Sequence, residues 1–171
     1  ANEVKVCTAT NTWSSIGGGG GSSVTGTNYA FAYDTTTQSI TTASTYQDVT
    51  FNTNVQIDGW THTAGTANFT AGATGLYLVT AEVTLDKTSN GYTSTESRAL
   101  FNGTEIAGSQ IGDEINKNSE TPLTTTFLVN ATASQILKIQ VASASTTTSV
   151  IPSGTTATTS PSAKITIIRL N

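Results

Sequence analysis

Cysteine, histidine, proline and charge are all scarce in this sequence, and each shortage removes a class of protein. Cys7 is the only cysteine among 171 residues, so no intrachain disulfide forms and nothing argues for a small secreted domain held by bridges. It reads as a small buried hydrophobe in an amino-terminal strand, the alternative being an interchain bridge or a reactive thiol. Only 11% of residues are charged, the formal net charge is -4, and the seven Lys and Arg are scattered from Lys5 to Arg169. Without a basic field, nucleic acid is not an expected partner. No apolar run approaches the ~20 residues of a membrane span, and no basic stretch leads into an apolar core at the start, so no membrane partner is expected either. The chain starts at Ala1 and contains no Met, as a cytosolic protein would after losing its initiator; a cleaved signal peptide would leave a similar start.

Catalytic constellations are missing too. His62 is the only histidine, and within Trp60-Thr61-His62-Thr63 it reads as a partly exposed strand or loop residue that Gln could replace at little cost. No Gly-x-Ser-x-Gly occurs, and the glycine run Gly17 to Gly21 lacks the Lys-Ser/Thr ending of a phosphate-binding loop. The one local acidic cluster, Asp113-Glu114 with Glu105 and Glu120, lacks the Asp-x-Asp spacing of a dedicated calcium loop and reads as solvated carboxylates. The expectation is therefore no enzyme, no cofactor and no metal.

What is present is β-forming. Thr supplies roughly a fifth of the chain, and its branched side chain suits a pleated, half-wet surface better than a helix. Runs with period-two alternation or continuous apolar character predict strands at Tyr29 to Tyr33, Gln47 to Phe51, Ala67 to Thr70, Gly75 to Leu85, Glu96 to Phe101, Ile106 to Ile111, Thr124 to Val129, Ile136 to Ala142 and Ala163 to Leu170. Asn102-Gly103 marks a tight hairpin, Asn90-Gly91 a longer hairpin loop, and Asp58-Gly59 a turn before Trp60. No segment shows a convincing helical period. About 8–10 strands in one domain predict an all-β antiparallel sandwich or jelly roll.

Two segments stand apart. Residues 1–23 read as an arm: a strand or hairpin over Val4 to Ile16, then five glycines and two serines forming a flexible linker. The globular domain is expected to span 24–171. The polar stretch Ser143 to Ser162 reads as a long loop around a short strand at Val150 and Ile151, solvated or else touching a partner.

The most specific stretch is Phe69, five residues, then Gly75-Leu76-Tyr77-Leu78-Val79-Thr80-Ala81-Glu82. It resembles the strand signature of the tumour necrosis factor and complement globular-head superfamily. Val49-Thr50-Phe51-Asn52 upstream, Ala99-Leu100-Phe101-Asn102-Gly103 downstream and the closing run Ala163 to Leu170 are similar to that family's elements in order and context. Val79 and Ala81 stand where the complement pattern has aromatics, and Asp58 and Trp60 are off its usual spacing. Thr-rich, cysteine-poor versions resemble phage capsid or fibre domains and spore-surface tips more than animal cytokines.

The resemblance implies a jelly roll that forms homotrimers. With Phe69, Tyr77, Val79, Ile165, Ile167 and Leu170, the chain has more apolar rows than one sandwich interior needs, so these six are the expected trimer-interface residues. The expected role is a non-enzymatic virion structural protein at the virion surface: a trimeric cement, decoration or head-fibre protein of a bacteriophage capsid. Its arm residues Val4, Val6, Trp13 and Ile16 would dock to the major capsid protein or another virion protein. The alternative is a trimeric receptor- or glycan-binding tip of a fibre or spore-surface filament, in an extracellular or spore-surface location.

Overall fold

A computed structural model describes residues 28–153 and 160–170 in full and the strand pairing of 5–9 and 12–15. No helix occurs among the described residues. In chain order the strands are β1 (Lys5–Ala9), β2 (Thr12–Ser15), β3 (Tyr29–Asp34), β4 (Gln38–Ser39), β5 (Gln47–Asp48), β6 (Thr53–Asp58), β7 (Trp60–His62), β8 (Phe69–Ala71), β9 (Gly75–Lys87), β10 (Thr93–Phe101), β11 (Thr104–Glu105), β12 (Ile111–Ile115), β13 (Thr121–Ala131), β14 (Ile136–Ser143), β15 (Thr148–Val150) and β16 (Ala163–Arg169).

Strands β1 and β2 pair only with each other, Val6 opposite Ser14 and Cys7 opposite Trp13. The rest form two antiparallel sheets. Sheet I runs β13-β9-β16-β3-β6, with the short β15 and β4 continuing from the far end of β9. Sheet II is built on β10 and β14: β12 and β11 flank β10 on one side, and β8-β7 and β5 flank β14 on the other. Two sheets stacked face to face, with the chain crossing repeatedly between them, make the expected jelly roll.

Alternation decides which residues enter the core. On β9 the side chains of Tyr77, Val79, Ala81 and Val83 are buried while Leu76, Leu78, Thr80 and Glu82 between them are half-buried. On β13, Leu123, Phe127 and Val129 point inward while Thr124, Thr126 and Leu128 are exposed. Pro122, which donates no ladder bond, sits on β13 because that strand is paired on one side only within its sheet.

The signature residues converge in one aromatic cluster near the corner where the sheets meet. Phe51 meets Phe69 edge-on, 5.3 Å between centroids, and Trp60 meets Tyr77 edge-on at 5.1 Å. Such contacts add to simple area burial. The Tyr77 hydroxyl donates to the Ala73 carbonyl at 3.0 Å, so its polar end is satisfied at the rim of the core.

Turn chemistry explains where sequence expectations held and where they moved. Asn102 (φ 50°) and Gly103 (φ 82°) form the two-residue hairpin between β10 and β11, both in the left-handed region that a type I′ turn requires. Asp58-Gly59 makes the expected turn before Trp60, from sheet I to sheet II; Asn90-Gly91 also carries the chain from sheet I to sheet II and closes no hairpin. Gly59 has φ 67°, and a Cβ there would fall 1.9 Å from Asn28 Oδ1, so both conformation and space demand glycine. The strand expected over Ile106 to Ile111 is instead a turn: Gly108 adopts φ 79°, and the buried Ser109 hydroxyl bonds the Ala99 amide at 3.0 Å in place of a ladder partner. Pairing resumes only at β12.

Candidate subunit interface

The expected interface residues are divided by strand parity. Phe69, Tyr77, Val79, Ile165 and Ile167 are shut inside the chain's own core, each 0% exposed, and only Leu170 reaches the surface. Side chains fully enclosed within one chain cannot be offered to another, so these five are core residues. Arm residues Val4 and Ile16 lie outside the described residues, as do the side chains of Val6 and Trp13.

The opposite parity builds a continuous outer face on sheet I. Register places Leu128, Leu78, Ile168 and Tyr29 side by side across β13, β9, β16 and β3. The next row is Thr126, Thr80, Thr166 and Phe31; the third is Thr124, Glu82, Lys164 and Tyr33. The face therefore grades from apolar through hydroxyl to charged. Leu128 is 53% exposed, Ile168 40% and Phe31 36%, and Leu170 and Val55 extend the apolar surface beyond the rows.

Local bonds fix the polar rows. The Thr80 and Thr126 hydroxyls lie 3.1 Å apart in hydrogen-bond contact, Thr124 donates to Glu82 Oε2 at 3.1 Å, and Lys164 Nζ sits 2.9 Å from Glu82 Oε1. This ion pair is solvated and contributes little to stability, on the order of 0–1 kcal/mol. Contiguous exposed apolar side chains rimmed by polar ones mark an interaction surface, whereas isolated ones do not.

His62 is not the exposed residue expected from its neighbours. It is buried on β7, its ring stacked on Phe69 at 4.1 Å and 8° and edge-on to Phe51 at 6.2 Å. Nδ1 lies 2.5 Å from Asn54 Oδ1 and Nε2 3.0 Å from the Thr66 carbonyl, while Asn54 Nδ2 donates back to the His62 carbonyl. Asn54 belongs to β6 of sheet I, so this trio straps one sheet to the other. The sequence shows only a histidine among threonines; the partner eight residues away becomes visible once the chain crosses between sheets.

Two results follow for His62. His62→Gln is expected to destabilise by about 1–3 kcal/mol, since a hydrogen bond is lost in a closed site and the ring stack goes with it; urea denaturation at neutral pH measures this. Burial holds the His62 pKa below the ordinary histidine value of 6.5, with the Thr66 carbonyl opposing more weakly. Because the folded value is depressed, the unfolded chain takes the proton first. Stability from this group is full above about pH 6.5 and falls as pH drops through the folded pKa. Denaturation midpoints from pH 7.5 down to 5 should fall in the wild type and fall less in the Gln variant; parallel curves would remove His62 as the cause.

The acidic residues do not gather. Glu105 pairs with Arg98 at 2.9 Å, Asp113 Oδ1 accepts from the Glu114 amide, and no group of three His, Cys, Asp or Glu among the described residues is placed to hold a metal.

Comparison with known proteins places the fold. The globular domain of zebrafish complement 1qA protein superposes with a TM-score of 0.57 at 10% identity, covering 84% of this chain and 98% of that one. This is a jelly roll of the complement and tumour necrosis factor type. Murine APRIL gives 0.52 at 9% identity over 83% of this chain and 98% of that one. No family model matches the sequence, and no curated protein matches it. At such identities the likeness is one of fold. In this complement/tumour-necrosis-factor-like fold the graded outer face of sheet I is an apolar surface partly open to solvent among the described residues.

Proposed function

We propose that this chain is a non-enzymatic structural subunit that assembles as a homotrimer through the outer face of sheet I and serves as a cement, decoration or head-fibre protein at the surface of a bacteriophage virion. The observation that carries the trimer is the row Leu128, Leu78, Ile168 and Tyr29, four large side chains in register on one outer face, Leu128 and Ile168 exposed and Leu78 and Tyr29 half-buried. Cyclic closure lets every copy use the same faces, placing the apolar row toward the axis and the Glu82–Lys164 row toward solvent. The low charge of the chain, -4 over 171 residues, sets up little repulsion between copies. The neighbouring solved structures support the fold on which this assembly rests.

The virion role draws on the division of the chain into an arm with linker, 1–23, and a jelly-roll domain, 24–171. Hairpin β1-β2 forms a sheet of its own, and an isolated two-stranded hairpin is marginal in water. A partner surface such as the major capsid protein or another virion protein would stabilise it. Three arms per trimer raise attachment through effective concentration, so modest contacts per arm give slow release.

Sedimentation at micromolar concentration tests the assembly: a trimer is expected, and a stable folded monomer would overturn the reading. Removing residues 1–21 tests the arm. The truncated chain should remain a folded trimer yet fail to bind capsids stripped of this protein; equal decoration by the truncated trimer would move the docking surface onto the jelly roll.

A further inference from the structure

The outer face of sheet II, remote from the proposed interface, carries a built polar site. Across β5, β14 and β10, Lys138, Asp48, Gln140, Arg98 and Glu105 form one chain of hydrogen bonds of 2.7–3.0 Å. It ends with the Arg98 guanidinium lying 3.6 Å over the ring of Tyr46. The Tyr46 hydroxyl donates to Glu96 Oε2 at 2.5 Å, and Gln110 Nε2 donates to the same oxygen at 3.0 Å. Burial, together with the hydrogen bond to Glu96 and its charge, pushes the Tyr46 pKa up to about 12, so the phenol stays protonated as a donor.

Beside this arrangement is a recess of about 270 Å³ lined by Ser44, Tyr46, Ser94, Glu96 and the 142–144 segment of β14 and its exit. In register Glu96 stands between Ala142 and Gly112, which leave its carboxylate without a bulky neighbour on either strand. One oxygen is held by Tyr46 and Gln110; the other has no protein hydrogen bond among the described residues.

We propose that this recess is a binding site for a single pyranose unit of a neutral glycan. Four features favour that class. The volume suits one sugar ring. An aromatic wall offers the apolar side on which a ring's C–H face packs. Hydroxyls of Ser44 and Ser94 and a fixed carboxylate oxygen accept from sugar hydroxyls, and charge-assisted bonds of that kind are strong. The small alanines Ala142 and Ala144 that line the recess offer no pocket for a large apolar side chain. The site lies within one chain and does not depend on the trimer.

The test titrates the full chain with methyl glycosides of glucose, galactose, mannose and N-acetylglucosamine, followed by amide NMR shifts, with butylammonium as a cation probe. At least one glycoside should shift Ser44, Ser94, Glu96 and Ala144 and saturate in the millimolar range. Glu96→Gln should weaken that binding at least about tenfold. Ala144→Leu places bulk at an exposed position lining the recess without disturbing the core, and it should abolish binding. No shift with any glycoside, stronger shifts with butylammonium than with every sugar, or unaltered binding by either variant overturns the proposal.

Discussion

Lysine at both Leu78 and Ile168 is expected to convert the proposed trimer into folded monomers. These two side chains are adjacent in register on the apolar row and partly open to solvent in the single chain. In the monomer both side chains lie on the outer face, Ile168 exposed and Leu78 half-buried, so the change costs on the order of 1 kcal/mol. In the trimer it removes the burial of two aliphatic side chains per subunit, about 1.5–3 kcal/mol each, and puts six charges near a closed axis. With about 1.4 kcal/mol per tenfold, association should weaken by at least two orders of magnitude. Sedimentation reads the mass, and circular dichroism confirms the retained β fold. Tyr92→Lys, at a loop residue 73% exposed between β9 and β10, is the control and should leave the trimer intact. A double-lysine variant that still sediments as a trimer would place the interface elsewhere.

Tyr77→Ala should have the largest effect on folding. The ring is wholly enclosed, meets Trp60 edge-on and ties its hydroxyl to Ala73. Truncating an aromatic side chain in such a site costs about 3–5 kcal/mol, because the cavity only partly closes. Tyr77→Phe keeps the ring and loses one rim hydrogen bond, about 0.5–1.5 kcal/mol. Denaturation of both variants separates packing from the hydroxyl. A loss in Tyr77→Ala no greater than in Tyr77→Phe would show that the ring is not a packing centre.

Much of the fold was legible because long runs carry their own evidence. Gly75 onward reads as a strand whatever surrounds it, and Asn102-Gly103 dictates its turn through backbone conformation alone. The short elements were harder. Gln47–Asp48 and Phe69–Ala71 are strands because β14 offers them partners, and the chain from Ile106 to Gln110 turns because Gly108 takes a left-handed conformation and the Ser109 hydroxyl meets the Ala99 amide. The recess at Tyr46 was invisible in sequence: its bonds join residues 50 and 64 positions apart.

The sequence by itself determined the class of structure. Abundant β-branched residues, period-two runs and glycine-marked turns leave a β sandwich as the way to bury the apolar side chains while pairing the backbone. It also determined which stretches form the long strands, since each carries enough apolar residues to specify pairing locally. Only the tertiary structure decided which face of each strand is the core. Leu78-Val79 and Ile167-Ile168 are apolar at both parities, so either register would bury a hydrophobic side chain, and local pattern has no means of choosing. The choice is made by closure of the second sheet over Tyr77, Val79, Ile165 and Ile167, which leaves Leu78 and Ile168 outside. His62 follows the same rule: a single histidine becomes a strap between sheets only when the fold brings Asn54, Thr66 and Phe69 around it.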